Sequence, residues 1–371
     1  MLMLNKNKFK PKTLYINIKI NKLVKSNLLK RGKMNKKYYV FVLLVISIFL
    51  LSACKGKSGA AAGTAPKIPF IGGTAGISMN FEKDNPPPEV TDDASFAFKT
   101  IVRLKNEGEF KVDKQDIKLN LIGFDPNDFG RTFSDLRDVT PEDTLDSKKR
   151  DAEGNIVEGT TTFATFPKGS GDFIPTKFTG NTEFTFRAET CYNYETRAET
   201  KLCVLRDMIN VRDGSLCNPN GAKTIHSSAA PVQVSNFRQS IVGKDKLSFS
   251  FDVSVSGNVD IFSDRNKPSS NFDNACPKDP RTRREVENRV TIEITEVPSD
   301  PIVGGGGLKC GGLDNSNKGE VILVGGRRTI TCTVDLVTDR VDLEKVMGVK
   351  VTYNVLDNKE TKILVKHLAE S

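Results

Sequence analysis

The chain has 371 residues, 37% hydrophobic and 27% charged, which is enough for two ordinary domains. Its formal charge is +9, but residues 1–54 hold twelve of the 55 Lys/Arg and none of the 46 Asp/Glu, so the remainder has 43 basic against 46 acidic residues, about −3. A nucleic-acid footprint needs a basic face on the folded part, so this balance speaks against nucleic acid as a partner.

Residues 1–33 are rich in Lys, Asn and Ile and contain no acid. Met34 stands where an export signal should begin, so this extension is either a long basic n-region or lies upstream of the true start. From Met34 the order is a basic start (Lys36, Lys37), a 14-residue apolar run from Tyr38 to Leu51, and small residues before Cys54. That run is short of the ~18 residues of a spanning helix and matches a signal-peptide core.

The ending Leu51-Ser52-Ala53-Cys54 resembles the lipobox of prokaryotic lipoproteins, bacterial or archaeal. The resemblance implies that the Cys54 thiol receives a diacylglycerol and that the leader is cleaved before it. The chain would then be anchored in a membrane and face the extracytoplasmic side, at the cell surface or in the periplasm. In Gram-negative lipoproteins an Asp after the cysteine marks inner-membrane retention; here the residue is Lys55. A plain signal peptide and an uncleaved membrane anchor are the other readings. Residues 55–73 are dominated by Gly, Ala, Ser and Pro and read as a flexible tether.

From Thr74 the texture is β. Ser95–Leu104 alternates apolar with polar and ends in the turn signal Asn106-Glu107-Gly108; Lys118–Phe124 is the next run. Residues 125–160 read as loops with short strands, and Thr161–Phe166 and Thr182–Cys191 return to period two. Only Val204–Met208 and 339–347 invite a turn of helix. The class is all-β.

The most informative match is internal. Residues 191–204 align without gaps on 352–365, and Tyr192/Tyr353, Asn193/Asn354, Glu199/Glu360, Thr200/Thr361, Lys201/Lys362 and Val204/Val365 are identical at an offset of 161. Ser95–Phe98 has a weaker echo in Ser248–Phe251. Duplication of a strand-rich body closed by a hairpin follows, with Tyr192 and Tyr353 at hairpin or corner positions. We expect two tandem antiparallel immunoglobulin-like β-sandwich domains, 74–206 and 231–368, joined by a connector at 207–230. The chain has no Trp, so the buried tryptophan of antibody domains is absent. Pro86–Val90, Phe96–Leu104 and Asn106-Glu107-Gly108 resemble instead the CARDB-like immunoglobulin modules of prokaryotic envelope proteins. That likeness covers about 35 residues of the first domain and implies fold rather than activity.

Beyond Cys54 there are six cysteines, at 191, 203, 217, 276, 310 and 332. An even count in an exported chain fits a disulfide framework. No C-x-x-C occurs and the two histidines, His226 and His367, stand apart, so no metal site is expected. Cys191 and Cys203 align with Thr352 and Leu364, and two positions lost together suggest partners. A turn at 196–198 would set them opposite each other in a hairpin. The expected pairs are Cys191–Cys203, Cys310–Cys332 across a Gly-rich loop and strand, and Cys217–Cys276 from connector to second domain.

Catalytic chemistry is not legible. Asp125–Gly130 has Phe129 where a calcium loop needs an oxygen ligand, and reads as an Asp/Asn turn. Gly304–Gly307 lacks the Gly-Lys-Ser/Thr of a phosphate cradle and reads as a flexible loop. Arg281, Arg283, Arg284 and Arg289 are interleaved with Glu285, Glu287 and Glu293, as on a solvated strand edge. No cofactor and no enzyme activity are expected. The function implied is a lipid-anchored envelope protein for adhesion, scaffolding or partner binding, to an envelope protein or glycan. The alternative is a solute-binding or hydrolytic lipoprotein with its site at the domain junction.

Overall fold

The computed structural model describes residues 68–93, 96–297, 299–314 and 317–368. The leader, Cys54 and most of the tether lie outside them. The first half of the body contains β1 (Ile77–Phe81), β2 (Glu89–Thr91), β3 (Thr100–Asn106), β4 (Ile117–Ile122), β5 (Lys149–Arg150), β6 (Ile156–Val157), β7 (Thr161–Phe166) and β8 (Thr182–Val204). Then come β9 (Gly221–Ala222), β10 (Ile225–Ser227), β11 (Val232–Gly243), β12 (Lys246–Val255) and β13 (Asp260–Phe262). Two short helices follow, α1 (Phe272–Ala275) and α2 (Pro280–Val286). The chain closes with β14 (Arg289–Thr295), β15 (Val303–Cys310), β16 (Lys318–Ile322), β17 (Arg327–Leu336) and β18 (Leu343–Lys366). The protein is all-β, built mainly from antiparallel sheets, and among the described residues no sheet closes into a barrel.

Two long strands organise the body. β8 runs 23 residues without Gly or Pro; its ends alternate buried with exposed, and residues 188–196 are buried on both faces. Phe186, Ala188, Tyr192, Tyr194, Ala198 and Leu202 point to one face and are buried, while Glu183, Arg187, Arg197 and Lys201 point to the other. Nothing in Thr196-Arg197-Ala198 has turn chemistry, so the hairpin expected there does not form. β8 instead pairs antiparallel with β18 along its whole length, from Thr182↔Val365 to Val204↔Leu343, roughly 75 Å of ladder. The helical turns expected at 204–208 and 339–347 are absent too. Val204 and Leu343–Met347 belong to this ladder, because tertiary pairing outweighs a weak local preference.

This ladder joins what the sequence suggested as two separate sandwiches. Each half repeats one plan: β1-β3-β7 form a sheet with the second strand in the middle, and so do β11-β12-β17. β4 pairs with β8, and β14 with β18, in the larger sheet. The expected connector contributes β10 to β8 and β9 to β11, and β2 runs parallel to the end of β18. Ile68–Ser371 therefore cluster as one compact unit, without a boundary at 207–230.

The core lies between the shared sheet and the two smaller ones. In the first half Phe98, Phe124, Phe129, Phe173 and Phe186 pack as a group, with Phe124 stacked on Phe186 at 3.9 Å. In the second, Phe237, Phe249 and Phe251 stack in a row. Each fully buried Phe contributes about 1.5–3 kcal/mol. Tyr192 and Tyr353 sit in mid-strand rather than at corners. The Tyr192 hydroxyl accepts from Ile77 N (3.4 Å) at the start of β1, and that of Tyr353 from Val232 N (3.2 Å) at the start of β11. The two counterparts thus do the same work in the two halves.

The middle of the outer face, around Glu189, Cys191 and Asn354, is covered by a strap, residues 263–288, that carries α1 and α2. Asn193 donates to Asn354 Oδ1 (3.0 Å), and Asn354 donates to Ser263 O (2.8 Å) and Asn266 O (2.6 Å) in the strap. Lys278 reaches the buried Glu189. A disulfide, Cys191–Cys276, clamps strap to strand.

Candidate functional site

The structure corrects two of the expected disulfides. Cys191 and Cys203 lie on one extended strand twelve residues apart, roughly 40 Å, beyond any bridge. The bonds are Cys191–Cys276, Cys203–Cys217 and Cys310–Cys332. The pair Cys217–Cys276 is thereby replaced as well. The third bond links edge strand β15 to β17 at the directly opposed rung Cys310↔Cys332.

The remaining motifs resolve into local structure. Asp125 is an N-cap, accepting from Asn127 N (3.0 Å), and Gly130 closes the turn at φ 65°. Gly304–Gly307 lie in β15 rather than in a loop, with the strand bulged between Val303 and Leu308. Arg281, Arg283 and Arg284 sit on α2, not on a strand edge; Arg283 lies over the Phe262 ring and pairs with Glu287 and Asp260. Arg289 bonds Glu320. His226 is on β10, and His367 bonds the buried Asp92 (2.8 Å). Among the described residues no group of three or more His, Cys, Asp or Glu could hold a metal ion.

A cleft of about 300 Å³ lies beside the start of the body, lined by Phe70, Glu109, Phe110, Lys148, Arg150 and Arg197 among others. Its acids are already engaged. Glu109 accepts from Ile71 N (2.8 Å), Gly72 N (2.9 Å) and Ala229 N (2.7 Å). Glu195 is bound by Arg197 and Lys350. These groups staple the chain's entry to residues 228–230, and none of this converges on an open space as a ligand site would.

The feature with the makings of a binding surface is the end of the ladder where β8 and β18 meet at Val204↔Leu343. Three segments gather there: 205–217 after β8, the hairpin end 242–246 where β11 turns into β12, and 337–343 running into β18. Arg340 pins them together. Its side chain is 1% exposed and donates to Leu205 O (2.8 Å), Val337 O (2.6 Å), Lys244 O (2.7 Å) and Asp245 Oδ1 (2.6 Å). Five N–H donors in a fixed fork suit a guanidinium to this role, where a lysine ammonium would reach fewer acceptors.

The long loop is closed by Cys203–Cys217, and Met208 is its buried anchor, its sulfur accepting from Leu205 N (3.3 Å). Asp207 turns the chain outward. The Asn210 side chain and the Asn210 and Ile209 amides bond its carboxylate and hold its pKa below the usual range. Arg206 N donates to Asp342 Oδ1 (2.6 Å), tying this loop to the third. Gln239 exchanges two bonds with the Cys203 backbone, tying it to β11. The sequence signal for this end was slight: a polar stretch with two cysteines, and a lone Arg340 in another part of the chain.

No protein-family model matches the chain, and no curated protein matches it. Among solved structures, Escherichia coli alpha-2-macroglobulin activated by porcine elastase aligns with 79% of this chain at 12% identity and a TM-score of 0.13. The chain spans 22% of that protein's length. At that TM-score the likeness says nothing about fold or activity.

Proposed function

We propose that the chain is a lipid-anchored envelope protein, held by a diacylglycerol on Cys54 and facing the extracytoplasmic side. Its β body presents the three-loop end to a partner protein and performs no catalysis. The observation that carries this reading is the Arg340-pinned end of the ladder, a rigid platform built from three chain segments far apart in sequence. Loops on a rigid scaffold are where β-sandwich proteins place recognition. The export-type leader ending in Leu51-Ser52-Ala53-Cys54 supports the anchor, and three disulfides fit an oxidising compartment. Two acyl chains hold a protein stably where one binds only marginally.

The anchor is tested by inhibiting lipoprotein signal peptidase with a globomycin-type compound, which should make a membrane-bound precursor accumulate. Cys54→Ser should prevent acylation and normal processing. Unchanged processing under both treatments would refute the lipid assignment. The three-loop end is tested separately by substituting its exposed residues and measuring retention of the body on isolated envelope.

A further inference from the structure

Arg238, exposed on the outer face of β11, has no hydrogen-bond or ion-pair partner for its side chain among the described residues. Arg187 and Arg327, also on exposed strand faces, each hold a carboxylate. Arg238 lines a groove of about 370 Å³ on the outer face of the five-stranded sheet, between residues 220–221 at the edge and the inner strands β12 and β17. The strand register makes this surface continuous. Arg238 stands opposite Ser250 and Ser250 opposite Thr331, while in the next row Ser240 stands opposite Ser248. Phe249, between those rows, is buried in the core.

The backbone is bent to put the guanidinium there. β11 carries one extra residue between Ser235 and Arg238, with Asn236 in the left-handed region at φ 54° and its amide bonded to Asp252 (2.8 Å). The bulge sends Phe237 into the core and sets Arg238 on the outer face opposite Ser250. Re-aiming a side chain is a recurrent use of such bulges, and a left-handed residue other than glycine is held only where its surroundings impose it.

The lining defines the ligand. No Asp or Glu lines the groove, and the two acids on the strands of this face are engaged, Asp252 by Asn236, Arg327 and Thr329, and Asp335 by Lys246. An uncompensated cation in a groove draws an anion, and a planar guanidinium fits a carboxylate with two parallel bonds. Around it stand groups that donate and accept. The hydroxyls of Ser240, Ser250 and Thr331 have no partner among the described residues. Ser248 donates to Cys332 O (2.9 Å) and keeps its lone pairs; Asn220 Oδ1 accepts from Ile241 N (3.0 Å) and leaves its NH2 free. A ligand rich in hydroxyls matches them. No exposed aromatic ring lines the groove, so a neutral sugar would find nothing to stack on and charge must supply the anchor.

We propose that this groove binds a carboxylate-bearing sugar of an acidic glycan, with Arg238 on the carboxylate and the Ser and Thr hydroxyls on the ring hydroxyls. The groove adjoins the hairpin end at 242–246, but none of its lining residues belongs to the three-loop end. The proposal is therefore independent of that surface and of the lipid on Cys54.

The test titrates the full chain, disulfides intact and in neutral detergent, with trigalacturonate and sialyllactose and with the methyl ester of each. At least one acid should bind, and its ester should bind about tenfold more weakly or worse. Arg238→Gln should weaken the acid by about tenfold or more, Arg238→Lys by less because it keeps the charge without the fork, and added salt should weaken it further. Thr331→Val should cost a smaller factor. Arg212→Gln, at an exposed arginine of loop 205–217, should change nothing. Near-UV circular dichroism should show every variant folded, since the Arg238 side chain holds no other group. Binding by neither acid, or binding that Arg238→Gln leaves intact, overturns the proposal. Acid and ester binding equally would also overturn it, by removing the carboxylate from recognition. Acetate or inorganic phosphate binding as tightly as the saccharide would reduce the groove to a bare anion site and overturn the glycan assignment. An equal loss in Arg212→Gln would move the ligand to the three-loop end and overturn the groove.

Discussion

Asn193 lies directly opposite Asn354 across the β8–β18 ladder, and in the fourteen-residue internal match at an offset of 161 each aligns with the other. In an antiparallel ladder only one rung can pair a position with its own counterpart, and that rung marks a local two-fold axis. The neighbouring rungs obey the same symmetry, with Tyr194↔Tyr353 on one side and Tyr192↔Val355 on the other. Near the same axis Gly76, before β1, lies against Pro231, before β11, and a Cβ at Gly76 would strike both Pro231 and the Tyr192 hydroxyl. The two halves meet as the subunits of an isologous dimer do, though one chain supplies both.

The asparagine rung should be a sensitive point. Asn354→Ala would leave the Ser263 and Asn266 carbonyls without their buried donor and cost about 1–3 kcal/mol. Asn193→Ala should cost less, since its amide donates to Tyr353 O and Asn354 Oδ1 on β18 rather than to the strap carbonyls. Urea unfolding of both single variants and the double variant measures this, and additive losses would show the pair uncoupled.

The tyrosine counterparts share one role and differ in one bond. Tyr192→Phe and Tyr353→Phe each remove the acceptor for the N–H that opens a strand, a loss of about 1–2 kcal/mol apiece, and Tyr353→Phe should cost more because its hydroxyl also bonds Thr196 Oγ1 (2.8 Å). Burial holds both phenols neutral well above the usual tyrosine range. The folded state therefore keeps protons that the unfolded state loses, and the stability they contribute is complete below about pH 10 and falls as pH rises beyond it. Absorbance titration should show these phenols ionising only with unfolding.

Asp92 gives the opposite sign. The Leu368 amide, the His367 ring and the Phe178 amide hold its carboxyl far below the ordinary carboxylate range. Its contribution is present above about pH 4 and is lost as pH falls below that. The protection of the Phe178 and Leu368 amides, taken against their intrinsic exchange rates, should fall in acid, and Asp92→Asn should lower it already at neutral pH.

Peptide mapping without reduction should recover Cys191 joined to Cys276, Cys203 to Cys217 and Cys310 to Cys332. A Cys191–Cys203 peptide would contradict the single-strand course of β8. Removing the Cys191–Cys276 bond, which spans 85 residues, should cost about 4–5 kcal/mol, against about 3 kcal/mol for Cys203–Cys217, which spans 14. Paired Cys→Ser variants compared by denaturant midpoint decide the order.

Arg340→Lys keeps the charge but loses the fork, and should leave two or more of its four acceptors unpaired at a cost of about 2–4 kcal/mol. Exchange at loops 205–217, 242–246 and 337–343 should rise together. Loosening confined to one loop would show that the arginine does not unite them.

Some of this protein is written in local sequence. The alternation through Thr182–Cys191 reads as a strand from sequence alone, because period two puts Phe184, Phe186 and Ala188 on one face. The Leu51-Ser52-Ala53-Cys54 ending and the acid-free start are equally local, and so is the Asp/Asn turn at 125–130. The identities at offset 161 were visible too, but not their meaning. A run of fourteen residues says nothing about whether it folds back on itself or pairs with its copy far along the chain. The absence of turn residues at 196–198 was the one local hint. Which cysteines bond depended on that choice, since one long strand separates Cys191 from Cys203 while the strap brings Cys276 to the first and the loop brings Cys217 to the second. Arg340 shows the same division: its charge is read at once, but its burial against carbonyls from three loops arises only when long-range strand pairing gathers those loops at one end of the sheet.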